Sequence, residues 1–121
     1  MIEQDKELSR VVKIITKHLS PQKIFLFGSR AVNAASEKSD YDLFVIVENG
    51  KKTREIEKQL YYLMAKEGIG IAVDLLVETQ EKFERLKNNR YLIYNQVEKY
   101  GKTIYEKEME TGEIFLIFIF E

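Results

Sequence analysis

The chain has 121 residues, 45% of them apolar, with a net charge of −1 and an isoelectric point near 6.0. That length supports one domain around one modest core, and the balanced charge lacks the basic excess of a protein that grips nucleic acid by its phosphates. The absence of cysteine excludes a disulfide frame and a thiolate metal site. The charged opening, Met1-Ile-Glu-Gln-Asp-Lys-Glu, does not read as a signal peptide, and no apolar run reaches the ~20 residues of a membrane helix, so a cytoplasmic protein is expected.

From Asp5 to Leu19, apolar Leu8, Val11, Val12, Ile14, Ile15 and Leu19 recur at helical spacing between lysines and arginines, which predicts an amphipathic helix. His18, the single histidine, sits at its end and is assigned no role. Ser20-Pro21 stops the helix, because a residue before proline avoids the α region. Lys23 to Phe27 then reads as a short buried strand that delivers Gly28-Ser29 to its end. A residue without Cβ followed by a hydroxyl lets backbone N–H groups and Ser29 Oγ approach phosphate oxygens. Arg30 to Ser36 is small and alanine-rich; a short helix is predicted there, its first amides facing the same phosphates, with Arg30 adding a charge.

Tyr41 to Glu48 is a continuous apolar strand, as expected of a central position covered on both faces. It opens on Asp40 and Asp42, which the two-residue strand period places on one face, close enough to share a divalent metal. Burying carboxylates without a partner is costly, so a bound cation explains them better than chance. Asn49-Gly50 marks a turn, and Lys51 to Lys66 predicts a second amphipathic helix with Ile56, Leu60, Leu63 and Met64 inward. Its Lys51, Lys52, Arg54 and Lys58 read most simply as a solvated face, the alternative being a basic rim for a triphosphate. Ile71 to Val77 is a third buried strand broken by one acid, Asp74, positioned to complete a triad with the dyad or, on an edge, to face water.

Thr79 to Tyr100 predicts one helix over the sheet, with Thr79 as N-cap, Phe83, Leu86, Ile93 and Val97 at helical intervals and Tyr91, Tyr94 and Tyr100 packing. Gly101 ends it, and Lys102 to Tyr105 is a brief strand. The final Ile114 to Phe120 is strongly β-prone and must be buried, either as an added strand of the same sheet or against another chain. It is set apart as an extension, 107–121, of a domain spanning 1–106, and could support a homo-oligomer.

The order Gly28-Ser29, ten residues, Asp40-Tyr41-Asp42 resembles the nucleotidyltransferase signature of the DNA polymerase β superfamily. Gly28 to Ala31 and Ser39 to Leu43 are most similar to the minimal nucleotidyltransferases, and Asn33 stands where such proteins often carry glycine. The resemblance implies an α+β fold, a small mixed β-sheet flanked by helices. It also implies Asp40, Asp42 and Asp74 as metal-binding catalytic carboxylates for two Mg²⁺ ions, with Gly28, Ser29 and Arg30 binding the nucleotide. ATP would be the donor. In that family the partner is commonly a HEPN protein, and some pairs resemble toxin and antitoxin, a tyrosine of the HEPN protein being adenylylated. The rival readings are transfer to a small-molecule hydroxyl, a non-catalytic binding module, and a glycosyltransferase-type metal dyad.

Overall fold

The computed structural model describes residues 2–31, 40–107 and 114–116, the side chains from Lys6 onward and not those of 114–116. Helix α1 (Ile2–His18) leads into strand β1 (Lys23–Phe27) and a 3-10 turn, Gly28–Arg30. Strand β2 (Tyr41–Val47), helix α2 (Thr53–Lys66) and strand β3 (Val73–Thr79) follow, then helices α3 (Gln80–Leu86) and α4 (Ile93–Tyr100) and strands β4 (Lys102–Lys107) and β5 (Ile114–Leu116). The sheet order is β3-β2-β1-β4-β5. β2 runs parallel to β3 and antiparallel to β1, β1 is antiparallel to β4, and β4 to β5, so the sheet is mixed. The expected α+β fold is the one observed.

Two cores flank the sheet, and the alternation of β2 divides residues between them. Tyr41, Leu43, Val45 and Val47 join Leu8, Val11, Val12 and Ile15 of α1 and Leu60 and Met64 of α2. Phe44 and Ile46 face the other way, against Phe25, Phe83, Tyr94 and Val97. Apolar side chains are therefore required at every β2 position from Leu43 on, which is why the strand shows no polar alternation. Phe44 anchors the second core, its ring tilted against Phe83 at a centroid distance of 5.4 Å and edge-on to Tyr94 at 5.6 Å.

Three expectations are corrected. The segment predicted as a third buried strand forms β3 at the edge of the sheet, starting at Val73, with Asp74 exposed. Its apolar run reflects α2 lying along that edge. The single helix predicted over Thr79 to Tyr100 is two helices. Thr79 does cap the first, its hydroxyl accepting from Lys82 N–H at 3.3 Å. The chain then breaks at the asparagines: Asn89 Oδ1 accepts from Tyr91 N–H at 3.0 Å, and Asn95 Nδ2 donates to the Lys87 carbonyl at 2.8 Å. Of the three tyrosines expected to pack, only Tyr94 is buried, while Tyr91 and Tyr100 are exposed. Of the helix predicted over 30–36, Arg30 ends the Gly28–Arg30 turn and Ala31 follows it, while 32–36, with Asn33, lie outside the described residues. Of the apolar tail, Ile114–Leu116 is an added strand on β4; the rest lies outside the described residues.

Glu7 ties α1 to the loop before β3. Its carboxylate accepts from Gly70 N–H at 2.5 Å and pairs with Arg10 at 2.7 Å, and these contacts hold it below the usual carboxylate pKa. A lowered acid contributes stability above its unfolded pKa and loses it as pH falls through the folded value. Glu7→Ala should therefore lower the melting temperature by a few degrees at neutral pH, and the gap should close in strong acid. Melting curves across pH check this; a gap that persists in acid would mean that packing, not charge, is lost.

Candidate active site

The residues singled out in the sequence converge at one end of the sheet. β1 ends on Phe27, level with Asp42 in the antiparallel ladder, and the chain turns sharply at Gly28, whose φ is +73°. On the other side of β2, Asp42 is level with Asp74 of β3. Residues level in neighbouring strands share a face, so the two carboxylates stand side by side at a strand spacing of ~4.8 Å. Asp40 is exposed, just ahead of the first β2 residue. Ser29 and Arg30 are half-buried in the turn, which Ala31 N–H closes by donating to the Gly28 carbonyl at 3.1 Å.

Gly28 is required here for two separate reasons. Its positive φ is one that L side chains avoid. A Cβ at that position would also fall on Asp42 Oδ2 and lie 3.2 Å from Asp42 Cγ. The turn and the carboxylate thus occupy adjoining space, which brings the backbone of the Gly-Ser turn up to the acid.

Asp42 is half-buried, and its carboxyl is pushed above the usual range, first by burial and then by the negative charges of Asp74 and Asp40. Two other carboxylates therefore act on it at close range, the field a divalent cation would relieve. Among the described residues, no three acidic or imidazole side chains are closed into a ready-made metal cage. The donor set of Asp42, Asp74 and Asp40 nevertheless fits a hard cation: oxygen ligands only, mutually repelling, at a solvent-facing strand end. Arg30 lies with its guanidinium carbon 4.0 Å from the centroid of the Tyr41 ring. Tyr41 belongs to the α1/α2 face, opposite to Asp42, so this stacking fastens the turn to the start of β2.

The basic residues opening α2 do not form a rim for this site. Lys51, Lys52, Arg54 and Lys58 are exposed, and the first three follow β2 at the end away from Asp42, a strand length of about 17 Å from Asp42 to Val47. Arg54 instead donates to Glu78 at 2.8 Å and to the Val77 carbonyl at 2.7 Å, and Lys82 Nζ lies 3.5 Å from Glu78. Sequence reading missed Glu78, which is only 4% exposed and carries this network. Its signal was the charge-reversed spacing of Glu78 and Lys82 across the start of a helix. His18 is exposed at the end of α1.

A scan against family models matches "Polymerase beta, Nucleotidyltransferase" over residues 9–110. The chain belongs to the polymerase beta nucleotidyltransferase family. Among solved structures this nucleotidyltransferase is similar to a chain in a crystal structure of a toxin-antitoxin with AMP-PNP. The identity is 19% and the TM-score 0.54, over 86% of this chain and 74% of that one. A candidate nucleotidyltransferase from Sulfolobus solfataricus gives 18% identity and a TM-score of 0.47, covering 94% and 85% of the two chains. A search of curated proteins gave no match. At such identity the first of these structures supports the fold, and the family match supports transferase chemistry. Among the described residues no helix is long and apolar enough to cross a membrane.

Proposed function

We propose that this nucleotidyltransferase moves AMP from ATP to a hydroxyl of a partner protein, a HEPN-type toxin, and thereby acts as its antitoxin in the cytoplasm. The observation that carries the reading is Asp42 side by side with Asp74, directly against the Gly28 turn. Asp40, Asp42 and Asp74 would hold Mg²⁺, which supplies Lewis-acid neutralisation of the phosphate charge when bound. Ser29 Oγ and the amides of Gly28 to Arg30 hold the outer phosphates, where charge develops on the leaving group. Asp74, exposed at the edge, accepts the proton of the incoming hydroxyl. The hydroxyl oxygen bonds to the α-phosphorus, the bond from that phosphorus to the β-phosphate oxygen breaks, and pyrophosphate leaves. The toxin-antitoxin neighbour supports a toxin as acceptor, and its AMP-PNP supports an adenine nucleotide as donor.

Incubating the protein with Mg²⁺, ATP and the product of the adjacent reading frame, then weighing the intact partner, tests this. A partner heavier by one or more adenylates is expected, with matching pyrophosphate. A partner whose mass never changes with any of the four nucleotides would leave a non-catalytic antitoxin; labelling of a small alcohol alone would move the acceptor class to small molecules.

A further inference from the structure

Among the described residues, the β3 edge is sealed over only part of its length. Tyr41 N–H donates to the Ala72 carbonyl at 2.9 Å, so in this parallel ladder the backbone of Asp74 and Leu76 turns toward β2 while that of Val73, Leu75 and Val77 turns outward. Two outward amides are taken by side chains of α2 one helical turn apart: Leu75 N–H donates to Tyr61 Oη at 2.7 Å and Val77 N–H to Glu57 Oε2 at 2.8 Å. The outward amide and carbonyl of Val73 have no partner among the described residues. The sealing therefore stops where the edge reaches the active-site end, one residue from Asp74. There the surface opens into a groove of about 200 Å³ lined by Tyr61, Met64, Ala65, Ile69, Ile71 and Val73. That is room for about six waters, the size of one large apolar side chain.

The geometry points to this stretch as the docking site for an extended segment of the acceptor polypeptide, added to β3 as a short strand. It rests on the proposed protein acceptor and deepens it. Main-chain bonds to Val73 supply the pairing, an apolar side chain fills the groove, and the neighbouring residue of the segment lies beside Asp74 with its hydroxyl. Open backbone donors and acceptors beside an apolar groove are matched by another polypeptide. A polypeptide strand presents main-chain N–H and C=O groups at the spacing of the outward Val73 amide and carbonyl, which a polyphosphate chain such as RNA does not.

The probe is a blocked hexapeptide of alternating valine and tyrosine flanked by lysines, and its N-methylated twin, which cannot donate to an edge. Titrated into the ¹⁵N-labelled full chain, the first should shift the amides of Ile71, Val73 and Leu75, and the twin should not. Ala65→Trp, which fills the groove from α2, should weaken peptide binding at least about tenfold while leaving the thermal shift with Mg²⁺ and ATP unchanged. Val73→Pro, which removes the outward donor but no ladder bond to β2, should do the same. No shift at Ile71 to Leu75 up to millimolar peptide, or equal binding by the twin and by Ala65→Trp, overturns the docking site. Adenylylation of the peptide with those amides undisturbed also overturns it, yet leaves the transfer reading standing. Edge binding without adenylylation upholds the docking site and counts against the transfer reading.

Discussion

Gly28→Ala is expected to abolish transfer and to destabilise the protein as well. The left-handed turn alone costs an L-residue about 1–2 kcal/mol. The new methyl then competes with Asp42 Oδ2 for the same space, so either the turn opens or the carboxylate moves. A displacement of about 1 Å in a reacting constellation can cost on the order of 10² in rate, and here the Gly-Ser turn and the acid would be displaced from one another directly. Gly50→Ala is the matched control: Gly50 also has a positive φ, +86°, but a Cβ there meets nothing within 4 Å. Both variants should lose stability in denaturant titrations, Gly28→Ala more, and only Gly28→Ala should lose pyrophosphate release. Equal activity in the two would show that the Gly-Ser turn does not abut the reacting groups.

Asp42→Asn separates a functional acid from a structural one. The Asp42 carboxyl is raised by burial and by Asp74 and Asp40, so its ionised form is less favourable in the folded protein than in the unfolded chain. A raised acid withdraws stability as pH rises above its unfolded pKa, and removing the charge returns it. The variant should therefore match or slightly exceed the wild type in stability at neutral pH and lose that advantage in acid. Transfer should fall by at least about a thousandfold, since the group would act as part of a unit. Mg²⁺ with ATP should stabilise the wild type, by roughly 2.7 kcal/mol at a hundredfold excess over Kd, and the variant much less. If Asp42→Asn unfolds the free protein, Asp42 serves the backbone and not a metal.

That Gly28 and the acids meet at one end of the sheet was legible because the parts are local. Gly28-Ser29 and Asp40-x-Asp42 are joined by ten residues, and the strand period alone places the two acids on a common side. β2 was readable as central because a strand covered on both faces admits no polar alternation, and the helix faces of Leu8 to Ile15 and of Leu60 and Met64 followed from their spacing. What failed was non-local. Whether Val73–Thr79 lies inside the sheet or at its margin depends on what pairs beyond it, and that partner is a row of α2 side chains, Tyr61, Glu57 and Arg54, bonding to the strand backbone. No pattern within β3 itself records them. The break between α3 and α4 was visible only as Asn88-Asn89, residues tolerated in helices but better used in turns. Tyr91 falls in that break and Tyr100 is the last residue of α4, so both are exposed where an uninterrupted helix would have placed them over the sheet.

A metal-bound nucleotide lying between the Gly28 turn and the paired Asp42 and Asp74 is the central expectation, and paramagnetic broadening reads that placement directly. With Mn²⁺ in place of Mg²⁺ and a non-hydrolysable ATP analogue, the amide signals of Gly28, Ser29, Asp42, Leu43 and Asp74 should broaden first. Those of Asn49 to Arg54 and of Glu78, at the far end of the sheet, should stay sharp. Addition of excess Mg²⁺ should restore the lost signals. Broadening centred on the far end, or spread evenly over the acidic surface, would contradict the assignment of this strand end as the nucleotidyl-transfer site.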